Sequence, residues 1–159
     1  MLHRVVVLAV AMLFPLSVRA EALKATLVVT EHGQELFESW EHPNGKSFNV
    51  VPVKIAKRGA FLSAVILFTD CAADTSGRCN VVVDITAYDP LGKVYGTLVE
   101  EELWKDKSAP EPGHTQLGVG YMGLMIEPSD PSGIYKVVAV ARDLNDVSSA
   151  TSEASFSVD

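Results

Sequence analysis

Apolar and polar residues alternate with a period of two along several short runs of this chain, and that period is the geometry of a strand with one face in a core. The cleanest run sets Val81, Val83, Ile85 and Ala87 on one parity and Asp84, Thr86 and Tyr88 on the other. The last run repeats it, with Ala150, Ala154, Phe156 and Val158 expected inward and Thr151, Glu153, Ser155 and Ser157 toward water. Gly, Pro, Asn and Asp punctuate the sequence every ten residues or so, and no stretch reads as a long amphipathic helix, so the pattern is all-β.

Phe61 to Thr69 is apolar on both parities and reads as a central strand. Val94 to Leu103, Thr115 to Ile126 and Ile134 to Arg142 follow, the second weakened by Gly118, Gly120 and Gly123, which mark a bulge or bend. Upstream, Ala25 to Thr30 and Phe48 to Ile55 complete the set. Between them lie Phe37, Trp40 and an Asn44-Gly45 turn signal, and Phe37 to His42 is itself a candidate strand. The total is seven to nine strands. Ala109-Pro110-Glu111-Pro112-Gly113 is a loop, because strands resume after it.

The first twenty residues read differently. His3 and Arg4 precede an uncharged apolar run from Val5 to Leu16, and Val18 and Ala20 suit the small-residue rule for signal-peptide cleavage after Ala20. Twelve apolar residues are too few for a membrane-crossing helix, which needs ~20. Glu21 follows the cut with no Cys nearby, so the thiol of bacterial lipidation is missing. The expected product is one soluble domain, residues 21–159, periplasmic or secreted, with no membrane insertion after cleavage. Losing Arg4 and Arg19 leaves 11 basic against 20 acidic side chains, a net charge of −9, which argues against nucleic acid or anionic lipid as partner.

Cys71 and Cys79 are the only cysteines, and export places them where a pair closes into a disulfide. A metal or redox pair is the alternative, but the spacing is not C-x-x-C and the loop between them holds no His. The flanking runs, 60–70 and 79–89, are expected to be hairpin partners joined by this bridge.

Asp130-Pro131-Ser132-Gly133-Ile134-Tyr135-Lys136-Val137 resembles the corner that opens strand F of immunoglobulin-like sandwiches, and Tyr135-x-Val137-x-Ala139-x-Ala141-x-Asp143 resembles the F strand of bacterial immunoglobulin-like and cadherin-like modules. The resemblance covers about the last thirty residues. It implies an immunoglobulin-like Greek-key β-sandwich in which Tyr135 is buried and its hydroxyl bonds back to the Asp130–Gly133 corner. Val137 stands where antibody domains carry their second core cysteine, so an apolar pair must fill that place. Cadherin calcium sites need acids from several segments and are not carried over. If 134–142 is F, then 149–158 is G, 115–126 is E, 94–103 is C′, 79–89 is C and 60–70 is B. Alternating strand directions then gather the loops 71–79, 104–114 and 143–148 at one end.

No catalytic constellation accompanies this fold: G-x-S-x-G and Ser-x-x-Lys are absent, and Glu100-Glu101-Glu102 is a charge run expected to split between strand faces. His32, His42 and His114 match no ligand spacing, so no metal and no cofactor is implied. Asp70, Asp74, Asp143 and Asp146 lie at the shared loop end, where loop solubility outweighs calcium as their explanation. Trp40 and Trp104 are the large aromatics, each equally at home in a core or on a binding surface. The leading reading is therefore a non-catalytic module that binds a protein or glycan through Asp74, Arg78, Trp104, Lys105, Lys107, His114, Asp143, Asn145 and Asp146. The rivals are a structural subunit of an envelope assembly that associates through sheet edges, and a hydrolase.

Overall fold

The alternation in 81–88 becomes a strand whose even and odd residues part between a core and an outer face, and the same rule builds both sheets. In the computed structural model, which describes residues 22–42 and 49–159, the elements are β1 (Lys24–Thr30), α1 (Gly33–Glu41), β2 (Ile55–Ala56), β3 (Phe61–Thr69), β4 (Arg78–Tyr88), β5 (Val94–Ser108), β6 (Gln116–Met125), β7 (Gly133–Asp143) and β8 (Ser149–Val158). The expected signal peptide, the Asn44-Gly45 turn and the start of the 48–55 run lie outside the described residues.

One sheet has the order β1-β3-β6 and the other β2-β8-β7-β4-β5. All pairings are antiparallel except β2 with β8. This is the Greek-key order of an immunoglobulin-like sandwich, with β3 to β8 in the roles B, C, C′, E, F and G. The core between the sheets contains Leu62, Ala64, Ile66 and Phe68 of β3 facing Val81, Val83 and Ile85 of β4 and Val137, Ala139 and Ala141 of β7. Each fully buried Leu, Ile, Val or Phe side chain there contributes about 1.5–3 kcal/mol.

Two expectations fail for local reasons. Residues 37–42 are not a strand: Phe37 to Glu41 belong to α1, because Leu36, Phe37 and Trp40 fall on one helical face and pack with Val65 and Leu117 on the outside of the β3–β6 sheet. That helix is also why β3 is apolar on both parities. It lies so close at its start that a Cβ on Gly33 would stand 2.2 Å from Ser63 Oγ. Of the 48–55 run, only Ile55 joins a strand, in the two-residue parallel bridge to β8.

The glycines of β6 are explained by β5. A Cβ on Gly120 would meet the Glu102 carbonyl oxygen at 2.7 Å, and one on Gly118 would meet Leu103 Cδ1 at 2.0 Å, so β5 crosses β6 where no side chain stands in the way. On its other side β5 is pinned by charge. Asp84 accepts from the backbone N–H of Glu100 at 2.8 Å and pairs with the Arg142 guanidinium of β7. Glu100 has φ 54°, and this bulge breaks the alternation, leaving Glu100, Glu101 and Glu102 all exposed rather than split between faces.

The closed end of the sandwich carries the expected corner. Tyr135 is buried, its hydroxyl donates to the Pro131 carbonyl at 3.0 Å, and its ring stacks on Phe156 and meets Tyr95 edge-on. Burial raises the Tyr135 hydroxyl pKa. Arg58 completes this end by donating to the carbonyls of Glu127, Asp130 and Asp159 and to Ser132 Oγ.

Tyr135→Phe should lower stability by about 1–2 kcal/mol, since the Pro131 carbonyl loses its donor. Coincident chemical-denaturation midpoints would refute the corner's energetic role. A second outcome concerns pH. The Arg142 hydrogen bond, with help from the Glu100 N–H, holds the Asp84 carboxyl below its ordinary value. Its contribution is present above the unfolded value of about 3.9 and is lost as pH falls through the lower folded value. Both side chains are about a third exposed, so the stability gap to Asp84→Asn should be only about 1 kcal/mol near pH 7 and should close in acid. Denaturation midpoints of the two proteins across pH 2–7 check it.

Candidate functional site

The three loops predicted to share an end do so, and backbone-directed side chains tie them together. Asn145 donates from Nδ2 to the carbonyls of Ala72 at 2.8 Å and Arg78 at 2.9 Å, while its Oδ1 accepts from Asn80 Nδ2 at 3.1 Å. Asp143 accepts from the N–H of Ala72 at 2.6 Å and from that of Asn145 at 2.9 Å. The β5–β6 connection joins through Ala109 N–H to the Gly77 carbonyl and Gly113 N–H to Asp70 Oδ1. Asp70 also accepts from Thr69 and pairs with Lys24 at 3.2 Å.

Within the first loop, Asp74 Oδ1 accepts from the N–H groups of Ser76 and Arg78 and from the Ser76 hydroxyl, a turn built by one short carboxylate. Those bonds, the one from Arg78 first, hold its pKa low. Asp143 behaves in the opposite way. It is 1% exposed, and burial pushes its carboxyl up against the pull of its two N–H donors, with the nearby Asp146 adding to the rise. Its favourable contribution is therefore complete below about pH 3.9 and is lost as pH rises through the elevated folded value.

The Cys71–Cys79 disulfide is present, with Cα atoms 6.0 Å apart. Its setting differs from expectation. β3 and β4 belong to different sheets, so the bridge closes a crossover between layers and not a hairpin. The disulfide fits an extracytoplasmic protein. Among the described residues no helix is long and apolar enough to cross a membrane.

The expected site residues separate into groups. Residues 104–108 are strand rather than loop, since β5 runs to Ser108, so Lys105 and Lys107 stand on an edge strand. Trp104 is half-buried, with its ring 5.8 Å from that of Phe68, its Nε1 donating to the Ser108 carbonyl and Lys107 Nζ 5.1 Å above its centroid. Arg78 pairs with Asp106 at 3.2 Å, Lys105 with Glu102 at 3.2 Å and His114 with Glu111 at 3.1 Å. Asp146 accepts from the Ser148 N–H and is exposed. Asp143 and Asn145 act as staples inside the loop cluster. Among the described residues no group of three or more His, Cys, Asp or Glu side chains is placed to hold a metal ion.

Two residues of this end went unnoticed in the sequence. Leu144 is 57% exposed and Val147 is 91% exposed, both on the β7–β8 loop. Val147 sits at φ 65°, a left-handed conformation that a β-branched side chain adopts only under strain. Beside it, the Ser148 hydroxyl is buried and finds no hydrogen-bond partner among the described residues. The available signal was a valine in a tight polar turn, Asn145-Asp146-Val147-Ser148, where Gly or Asn would be conformationally easier.

Neither a protein-family model nor a curated protein matches the chain. Among solved structures it is similar to a family 123 glycoside hydrolase from Clostridium perfringens, at 13% identity and TM-score 0.48, over 87% of this chain and 27% of that one. A Niemann-Pick type C2 protein from the Japanese carpenter ant gives 12% identity and TM-score 0.44 over 89% and 96%. The CARDB domain of a Pyrococcus furiosus protein gives 12% and 0.38 over 87% and 90%. The chain thus spans about a quarter of the hydrolase's length. At this level of likeness none of the three bears on what the chain does.

Replacing Cys71 and Cys79 together by Ser should cost about 2–3 kcal/mol, the chain-entropy value for a loop of about nine residues, and leave the sandwich folded. Chemical denaturation and a β-type circular dichroism spectrum check this. A folded wild-type protein that titrates two free thiols after purification from an oxidising compartment would remove the premise.

Proposed function

We propose that this chain is an exported, non-catalytic binding module that recognises a protein or glycan partner through the β3–β4, β5–β6 and β7–β8 loops. The observation that carries the reading is Val147: an apolar β-branched residue, nearly fully exposed and held at positive φ, on a loop stapled to its neighbour by Asp143 and Asn145. Strain retained on a rigid loop has its explanation in what the loop contacts. Leu144 supplies a second apolar contact, and Asp146, Asp74, Arg78 and the Trp104–Lys107 pair supply a polar rim, the usual anatomy of a small interface.

Export to the periplasm or beyond, with residues 1–20 removed and 21–159 acting as one domain, belongs to the same proposal and draws on the disulfide and the leader pattern. The edge-assembly alternative fits less well. Edge strand β5 carries positive φ at Glu100 and Asp106, register breaks and a dense charge run, features that blunt an edge against further pairing. A hydrolase would want convergent titratable groups in a deep cleft. At the loop end the carboxylates of Asp70, Asp74 and Asp143 instead accept backbone N–H groups.

Co-purification from the native envelope fraction supplies the partner against which variants are measured. Val147→Asn should raise the denaturation midpoint, by about 1 kcal/mol of relieved left-handed strain, yet weaken that partner's binding about tenfold. Trp104→Ala should weaken it as well. Unchanged affinity in both variants would dismiss the loop end as the working surface while leaving the topology intact.

A further inference from the structure

Away from the loops, on the outer face of the β1-β3-β6 sheet, a groove of about 430 Å³ runs between α1 and the β3–β6 pair. Its floor is aromatic. Phe61 is 52% exposed and Tyr121 43% exposed, and Phe37 of α1 meets the Tyr121 ring at 5.3 Å between centroids. The Phe61 ring rests over Gly123, where a Cβ would stand 2.7 Å from its Cζ, so the missing side chain lets the ring lie against the sheet.

The wall is acidic. Glu31, Glu38 and Glu41 line the groove, and no lysine, arginine or histidine is among its described lining residues. Glu38 and Glu41 are three apart on one helix and repel. Both stand toward the C-terminal end of α1, whose last turn carries no basic residue, so the helix macrodipole adds negative potential to theirs. A pure surface helix would be more stable with a lysine there. Three carboxylates around exposed rings are complementary to a cation with an apolar stem, and a planar guanidinium suits them best because it both pairs with carboxylate and stacks on aromatic faces.

We propose that this groove binds an arginine side chain presented by a partner protein. The guanidinium lies against Tyr121 and Phe61 and is held by Glu38 and Glu41, and the methylene stem covers the apolar floor. The site is separate from the loop end and stands or falls without it.

The test uses the peptide acetyl-Leu-Arg-Leu-amide and its citrulline counterpart, titrated into the 15N-labelled protein. The Arg peptide should shift the amides of Phe37, Phe61 and Tyr121, and citrulline should weaken binding about tenfold, the loss of cation–π and carboxylate contacts together. Glu38→Gln with Glu41→Gln, both exposed and isosteric, should give the same loss at a melting temperature no lower than that of the wild type, since the substitutions also relieve the repulsion at the helix end. Tyr121→Ser gives a second reading from the floor of the groove and should also weaken the Arg peptide. Equal affinity for the two peptides would make the groove a merely apolar patch and overturn the proposal, as would the absence of shifts up to about 10 mM peptide. Shifts of the same amides that grow with protein concentration alone would assign the face to a second copy of this chain and overturn it too.

Discussion

Strand β3 buries Leu62, Ala64, Ile66 and Phe68 against the opposing sheet and Val65 against Leu36 of α1, so its two faces are covered by different partners. The rest of the architecture answers to that demand. A strand apolar on both faces cannot stand with one side in water, and a three-stranded sheet cannot bury both sides of itself. The larger sheet covers one face. The other is covered by a nine-residue helix, short enough to depend on Leu36, Phe37 and Trp40 for its own stability. Because α1 covers only part of the β3–β6 surface, Phe61 and Tyr121 stay half-exposed beside it.

The two ends of the sandwich are held by different chemistry. At one, Arg58 and Tyr135 make a network aimed mostly at backbone carbonyls, which fixes the chain where strands turn. At the other, Asp70, Asp74, Asp143 and Asn145 accept from or donate to loop backbone and leave mostly polar side chains outside. Donor-rich clamping suits a closed corner, whereas short carboxylates and amides suit loops whose N–H groups have no ladder to join. Asp143 is the exception in energy, since burial opposes its charge, and its two N–H bonds recover only part of that cost.

Period-two parity was enough to find β4, β7 and β8, and the Tyr135 corner was enough to order the strands and bring three loops together. Where the reading failed, two physical solutions shared one pattern. Leu36, Phe37 and Trp40 satisfy one face of a helix, while Phe37 to His42 taken alone also passes for a short strand; only the uncovered face of β3 decides. The pairing of Cys71 with Cys79 followed from their number, but the layer change between them did not, because adjacent strands in sequence resemble a hairpin until sheet membership is known. Asp143 and Asn145 were noticed as polar loop residues, and their inward aim was illegible since it depends on backbone groups of another loop. Val147 was missed because a positive φ is a property of how the loop closes, not of the residue that occupies it.

The antiparallel course of the strands also fixes where the two termini of the described chain emerge. β1 begins at Lys24, paired with Asp70 beside the loops, whereas β8 runs away from them toward Asp159, whose carbonyl Arg58 holds at the far end. Anything attached ahead of residue 22 therefore shares space with the loop surface. A linker fused after residue 159 leaves the loops pointing away from its point of anchorage, so a protein immobilised through its C-terminus presents them to solution, and one immobilised through its N-terminus crowds them.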